Sequence, residues 1–185
     1  MKRFAGFLLL GILLAAVSWG GWYFLQSRQR GLKVQVAVSA SEEFLREWGG
    51  QTYRKEILFP RLETAFPGQV LYVAFLVSGY GLDEQGSTRL TGDFFLIGPD
   101  GRILIRNEKS FGHREGVGSF GTDGVLILEP VTQLVFDSGD PFGPYRIRGV
   151  VRDEAGGRSG VGEHQLRLRP IREILKQLLA GVVQW

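Results

Sequence analysis

Only two residues of the chain carry an imidazole, His113 and His164, and neither sits at a spacing that chemistry uses. Neither belongs to a His-Glu-x-x-His pair, in which two imidazoles one helical turn apart hold zinc. A hydrolase triad would need one of them beside an activated serine, and no Gly-x-Ser-x-Gly elbow occurs. His164 falls in an expected strand and reads as a surface or edge residue. Cysteine is absent, which excludes thiol nucleophiles, cysteine-held zinc or iron–sulfur centres, disulfides and cysteine-linked lipids. Asp137 and Asp140 in DSGDP, and Asp153 with Glu154, offer oxygens of the kind calcium takes. No EF-hand loop surrounds them, and aspartate is the expected residue at such turns. Gly116 to Gly121 spells Gly-x-Gly-x-x-Gly, which holds a pyrophosphate only between a strand and a helix N-terminus. Here polar FGHRE precedes it and β-rich VLIL follows, so the match is a coincidence of a glycine-rich chain. The expectation is therefore no catalytic residue, no metal and no cofactor, with a hydrolase as the less favoured reading.

What positions the remaining residues follows from composition. The 185 residues, 44% apolar and 22% charged, suit one globular domain with appendages rather than a disordered chain. The 27 glycines are about twice the usual share of roughly 7%, which implies many turns between short strands. The net charge of +3 suggests nucleic acid until its location is considered. Lys2, Arg3, Arg28 and Arg30 account for four of the 22 basic residues, and residues 1–30 hold no acid. Residues 31–185 therefore carry 18 basic against 19 acidic side chains, a net of −1. Such a body lacks the basic footprint that phosphate binding needs, and no nucleic-acid partner is expected.

Residues 4–25, FAGFLLLGILLAAVSWGGWYFL, are uncharged throughout. A helix of that length covers roughly 33 Å at about 1.5 Å per residue, enough for a hydrocarbon core of about 30 Å. Lys2 and Arg3 precede it, and Trp19, Trp22 and Tyr23 lie near its far end, where aromatic rings favour the interface. The competing reading is a signal peptide cleaved after Ala16-Val17-Ser18. An uncleaved anchor is favoured, because cleavage would leave WGGWYFL at the start of a soluble protein. Either reading sends the body to the extracytoplasmic side of the cytoplasmic membrane. The expected organisation is a signal-anchor segment at 1–30, a connector at 31–59, a β-domain at 60–169 and an amphipathic helix at 170–185.

In the connector, Val34, Val36, Val38 and Ala40 alternate as in a short strand, and Ser39 with Glu42 has capping-box spacing ahead of SEEFLREW. Val70–Val77 is an apolar run bounded by Pro67-Gly68 and Ser78-Gly79, as in a strand buried on both faces. Asp93–Ile97 and Arg102–Arg106 flank GPDG, a hairpin signal. Val125–Leu128 and Gln133–Phe136 follow, interrupted by Pro130, and then Tyr145–Val151 and Glu163–Leu168 around DEAGGRSG. In YRIRGVV and HQLRL arginine alternates with apolar residues, as in strands wet on one side. About seven or eight such strands imply an all-β chain folded as an antiparallel sandwich.

The segments FPGQVLYVAFLVSG, DFFLIGPDGRIL and GPYRIRGVVRDEAGG resemble strand B, the C–D hairpin and the F–G hairpin of bacterial immunoglobulin-like or fibronectin III-like domains. The resemblance covers roughly residues 60–169 and implies the fold, not an activity. Past it, Ile171, Ile174, Leu175, Leu178, Leu179, Val182 and Val183 recur at helical spacing behind Pro170. That stripe reads as a cap on the sandwich, as a face for a partner protein or as a membrane-surface helix. The two basic residues there, Arg172 and Lys176, are few for a lipid surface.

If the strands alternate in direction, the loops 78–91, 108–124 and 153–162 gather at one end. They carry Tyr80, Phe111, His113, Arg114, Phe120 and Arg158, residue types that suit protein or glycan contact unless the phenylalanines merely plug that end. The expected function is a non-catalytic, membrane-anchored extracytoplasmic binding or assembly module, an accessory subunit of an envelope complex. The alternative is a carbohydrate-binding module.

Overall fold

The computed structural model describes residues 31–43, 61–113 and 124–173. The expected membrane segment at 4–25, most of SEEFLREW, Arg114, Phe120, and Ile174, Leu175, Leu178, Leu179 and Val182 lie outside them. Among the described residues no helix is long and apolar enough to cross a membrane.

Eight strands hold more than half of the described residues: β1 (Lys33–Ser39), β2 (Thr64–Ala65), β3 (Val70–Ser78), β4 (Leu90–Ile97), β5 (Ile103–His113), β6 (Leu126–Val135), β7 (Gly143–Asp153) and β8 (Arg158–Leu168). β1, β3 and β6 form one antiparallel sheet. β5, β4, β7 and β8 form the second, with β2 added in parallel at its edge. This is an immunoglobulin-type sandwich, with A, B and E facing G, F and C.

Three expectations change. β1, expected as a short strand within a connector, is a full edge strand of the sheet, paired with β3 from Lys33↔Ser78 to Ser39↔Tyr72. The hairpin around GPDG stays within one sheet: Gly98 N–H donates to Arg102 O at 2.8 Å and β5 pairs with β4 throughout. Its second strand is therefore C′ rather than D, because so short a turn cannot cross the roughly 10 Å between packed sheets. Finally, the two segments around Pro130 are one strand. Proline has no N–H for the ladder, and the register with β3 jumps from Val73↔Thr132 to Phe75↔Leu128. At this bulge Glu129 pairs with Gly112 of β5, joining the two sheets into one curled sheet.

The other side is closed by residues 61–65. Leu62 N–H donates to Val38 O at 3.1 Å, while Arg167 and Arg169 donate to Glu63 and Ala65 carbonyls at 2.8 and 2.9 Å. His164 is buried here rather than on the surface, with Nε2 2.7 Å from the Leu62 carbonyl. A carbonyl only accepts, so Nε2 carries the proton.

Between the sheets, Phe75 of β3 stacks on Phe111 of β5 at 4.2 Å and meets Phe94 of β4 edge-on at 6.2 Å. The rings lie in slots left by glycine. A Cβ on Gly149 would come within 2.2 Å of the Phe75 ring, and one on Gly92 within 1.9 Å of the Phe111 ring. At the far end Tyr145 donates to the Pro141 carbonyl at 2.8 Å, the tyrosine corner of such sandwiches. Gly149→Ala should cost about 1–3 kcal/mol by overpacking. Gly139→Ala, whose Cβ meets nothing within 4 Å, should stay within about 0.5 kcal/mol of the parent. Urea midpoints of the two variants test this.

Candidate functional site

Strand directions send the connections after Ser78, His113 and Asp153 out of one end of the sandwich, as the expected alternation required. The residues expected to form a contact surface there do not share one fate. Tyr80 and Phe111 are buried, 1% and 3% exposed, and belong to the core. An aromatic ring beside glycines reads as a loop residue, yet it gains more by filling the space between the sheets. His113 is half-buried, its Nδ1 2.7 Å from the buried Thr88 hydroxyl. Arg158 reaches back to Asp153, with Nη2 donating to Oδ2 at 3.2 Å. Arg114 and Phe120 lie outside the described residues.

Asp153 organises this end. Its fully buried carboxylate accepts from Gly81 N–H at 2.7 Å, Gly156 N–H at 2.8 Å and Arg158. The β3–β4 connection is thereby tied to the β7–β8 turn, and Glu154 N–H adds a bond to Arg89 O at 2.8 Å. Asp83 ties the rest of that connection, accepting from the Gln85 and Ser87 amides at 3.0 and 2.9 Å and from Arg89. These aspartates are structural acceptors. Asp137 and Asp140 likewise bond within their own turn, Asp137 N–H to Asp140 Oδ2 at 2.8 Å. Among the described residues, no group of three or more histidine and carboxylate side chains is placed to hold a metal.

A different surface gathers chemistry: the outer face of the β5–β4–β7–β8 sheet. Alternation on β7 turns Tyr145, Ile147, Gly149, Val151 and Asp153 inward, and Arg146, Arg148, Val150 and Arg152 outward. Register sets Arg148 between Phe95 and Glu163, and Arg146 between Ile97 and Gln165. Arg106 of β5 lies opposite Phe95, its guanidinium 5.9 Å from the ring centroid. Arg167 occupies the diagonal position beside Arg146.

Five arginines thus share the face with three carboxylates, each already engaged. Arg152 makes a two-pronged bond to Asp93, Arg106 donates to Glu108 at 2.6 Å, and Arg148 Nε lies 3.5 Å from Glu163. Among the described residues, Arg146 and Arg167 are exposed and form no ion pair. Rigid strands hold two guanidiniums ready for an external carboxylate. The arginine alternation was visible in YRIRGVV. The opposing Phe95 and Arg106 were not, because cross-strand register cannot be read locally.

Asp93 is the anchor of this face. Its Oδ1 also accepts from Lys109 N–H at 2.9 Å, which fixes the β5 bulge where Lys109 takes φ 48°. The Arg152 hydrogen bonds hold its carboxyl below the usual carboxylate range, against the opposing effect of burial and with help from the Lys109 amide. The folded state therefore favours the ionised form. Its stabilisation is complete above the unfolded value of about 3.9 and disappears as pH falls through the lower folded value. Asp93→Asn should lose about 1–2 kcal/mol at pH 7, toward the low end because Arg152 is half exposed. Its stability should then fall less than the parent's below pH 4, as urea midpoints across pH 2–7 will show. Asp153→Asn replaces one acceptor oxygen by a donor and should cost about 2–3 kcal/mol, with faster amide exchange at Gly81 and Gly156.

No family model matches the chain, and no curated protein matches its sequence. Two solved structures are similar in part. One is a family 123 glycoside hydrolase from Clostridium perfringens, described for glycolipid glycan hydrolysis, at 9% identity and TM-score 0.43; the match covers 75% of this chain and 27% of that one. The other is a CARDB domain from Pyrococcus furiosus in complex with di-metal ions, at 9% identity and TM-score 0.37, covering 75% of this chain and 90% of that one. At this level of likeness neither bears on the activity of the chain.

Proposed function

We propose that the protein is a non-catalytic assembly module, anchored in the cytoplasmic membrane through residues 4–25 and presenting its sandwich on the extracytoplasmic side. It binds an acidic segment of an envelope partner protein on the outer face of the β5–β4–β7–β8 sheet. The observation that supports this reading is the pair Arg146 and Arg167, exposed, adjacent and, among the described residues, without a carboxylate of their own on a face whose other arginines are paired. Guanidiniums on strands lose little entropy when they engage a carboxylate, and Phe95 and Ile97 supply apolar surface beside them. The carbohydrate alternative is weaker, since Tyr80 and Phe111, two of its stacking rings, are in the core.

Ile171 opens the C-terminal stripe and is 52% exposed. In this reading the stripe is a second contact with the partner. The test is co-purification from detergent-solubilised membranes of the parent, of R146E/R167E and of a variant lacking 171–185. R146E/R167E should lose its acidic partner at least tenfold with an unchanged melting temperature, and the parent complex should weaken as salt rises. Undiminished, salt-insensitive recovery of the same partners would overturn the assignment of this face. Recovery of the protein in the soluble fraction would overturn the anchor.

A further inference from the structure

β5 has a neighbour on one side only for most of its length. β4 lies along that side, and on the other only Gly112, near the far end of the strand, pairs with β6. From Ile103 to Lys109 the described residues supply no second neighbour. The side chains of this stretch are bare as well. Ile103 is 56% exposed and Leu104 50%, and Arg106, Asn107, Glu108 and Lys109 are exposed beside them. Ile105 is half-buried, packed against the core.

The backbone there is set to pair. Gly98 N–H donates to Arg102 O, so by alternation Leu96 and Phe94 also turn toward β5, where they face Ile105 and Asn107. Arg106, between those two, turns its own N–H and C=O to the open side. Open edges are commonly guarded by charged side chains, lysine above all. A guard of one sign repels a second copy. Arg106 and Glu108 have opposite signs instead, two residues apart on one face and 62% exposed each. A strand with that spacing of charge is complementary to itself when run antiparallel.

We infer that two copies of the protein pair edge to edge through β5, antiparallel about a twofold axis at Asn107. This register sets Arg106 of each copy opposite Glu108 of the other. An axis at Arg106 opposes two guanidiniums and one at Glu108 two carboxylates, both unfavourable. An axis between residues sets a backbone turned outward against one turned inward. At Asn107 the parity agrees: Arg106 and Glu108 make the ladder bonds, and the two Asn107 residues form the close pair without them. Register with β4 shifts on both sides of the run, near Leu104 and at Lys109, where φ is 48°, so the pairing is short. Such a contact belongs with the weak interfaces, below about 1,200 Å². Both open edges are consumed in it, so it closes as a dimer and does not propagate. The two β5–β4–β7–β8 sheets then run on into one another, with an Arg146–Arg167 pair on each half of the same face.

The chain has no native cysteine, so single cysteines report the register. Asn107→Cys is oxidised in the full-length protein in excess detergent, beside Ile105→Cys and Lys109→Cys, which read the neighbouring axes, and Ser159→Cys, an exposed site on β8. The Asn107 Cα atoms of a close pair are about 4.5 Å apart, within disulfide reach. The disulfide dimer should form roughly tenfold faster with Asn107→Cys than with the other three. R106E opposes two carboxylates and E108R two guanidiniums, so each should slow Asn107→Cys cross-linking about tenfold, and an equimolar mixture of the two should restore it. Both side chains are exposed, and the melting temperatures should stay at the parent's. Equal rates at all four positions, a maximum away from 107, disulfides to another protein in place of a second copy, or a mixture no faster than its components would overturn the inference.

Discussion

The stack of Phe75 on Phe111, seated against Gly149 and Gly92, fixes how the two sheets meet. It is a contact between sheets, and it sets their separation and lateral offset together. Each ring fits only because the strand beneath it has no side chain at that point. The rest of the core is arranged around this fit: Phe94 approaches edge-on, and Leu128, Ile147 and Leu166 fill the flanks. A neighbouring close approach, Gly112 against the Leu90 carbonyl, lets β5 come near enough for Gly112 to pair with Glu129. The bulge at Pro130 brings β6 to the same place from the other sheet. The join between sheets and the aromatic stack are thus neighbouring consequences of one packing solution.

A sandwich closed this way has little room left inside for chemistry. One side is joined through β5 and β6, and the other is strapped by 61–65, with His164 spending its Nε2 proton on that strap. The strap also occupies edges that would otherwise invite another strand. At the loop end the Asp153 carboxylate consumes three donors to hold two connections together. Its value is positional: a buried carboxylate surrounded by fixed N–H groups costs too much to open for a passing ligand.

Much of the fold was legible because its strongest elements are local. Val70–Ser78, the GPDG hairpin and the β7–β8 hairpin each carry their own boundaries. The misreadings share a cause, which is partners distant in sequence. β1 was legible as a short strand but not as part of the sandwich, because its mate is β3, more than thirty residues along the chain. β2 is two residues long and exists only through β8. His164 was misplaced although parity had marked it, since it alternates with Leu166 and Leu168 on the inward side. Tyr80 and Phe111 carried no such mark; their burial depends on where β3 and β5 end relative to the opposite sheet. The arginine face lay between these cases, half visible on β7 and half created by register with β4 and β5.

The two outer faces explain one another. An immunoglobulin-type sandwich must dispose of two outward surfaces as well as its core, and this chain treats them in opposite ways. The three-stranded sheet carries alanine, leucine and isoleucine outward, a composition that water would penalise if left bare. Ala37, Ala74 and Leu76 there are buried, and Ile127 is half-buried beside them. The larger sheet carries Arg146, Arg148, Arg152, Arg106 and Arg167 outward, with Asp93 and Arg152 locked together to stiffen the middle strands. Arginines there gain nothing from folding in proportion to their number, since only three carboxylates answer them. A surplus of guanidiniums on rigid strands is a cost in self-repulsion that the fold does not require. Within the proposed function, that surplus is what the partner's carboxylates answer.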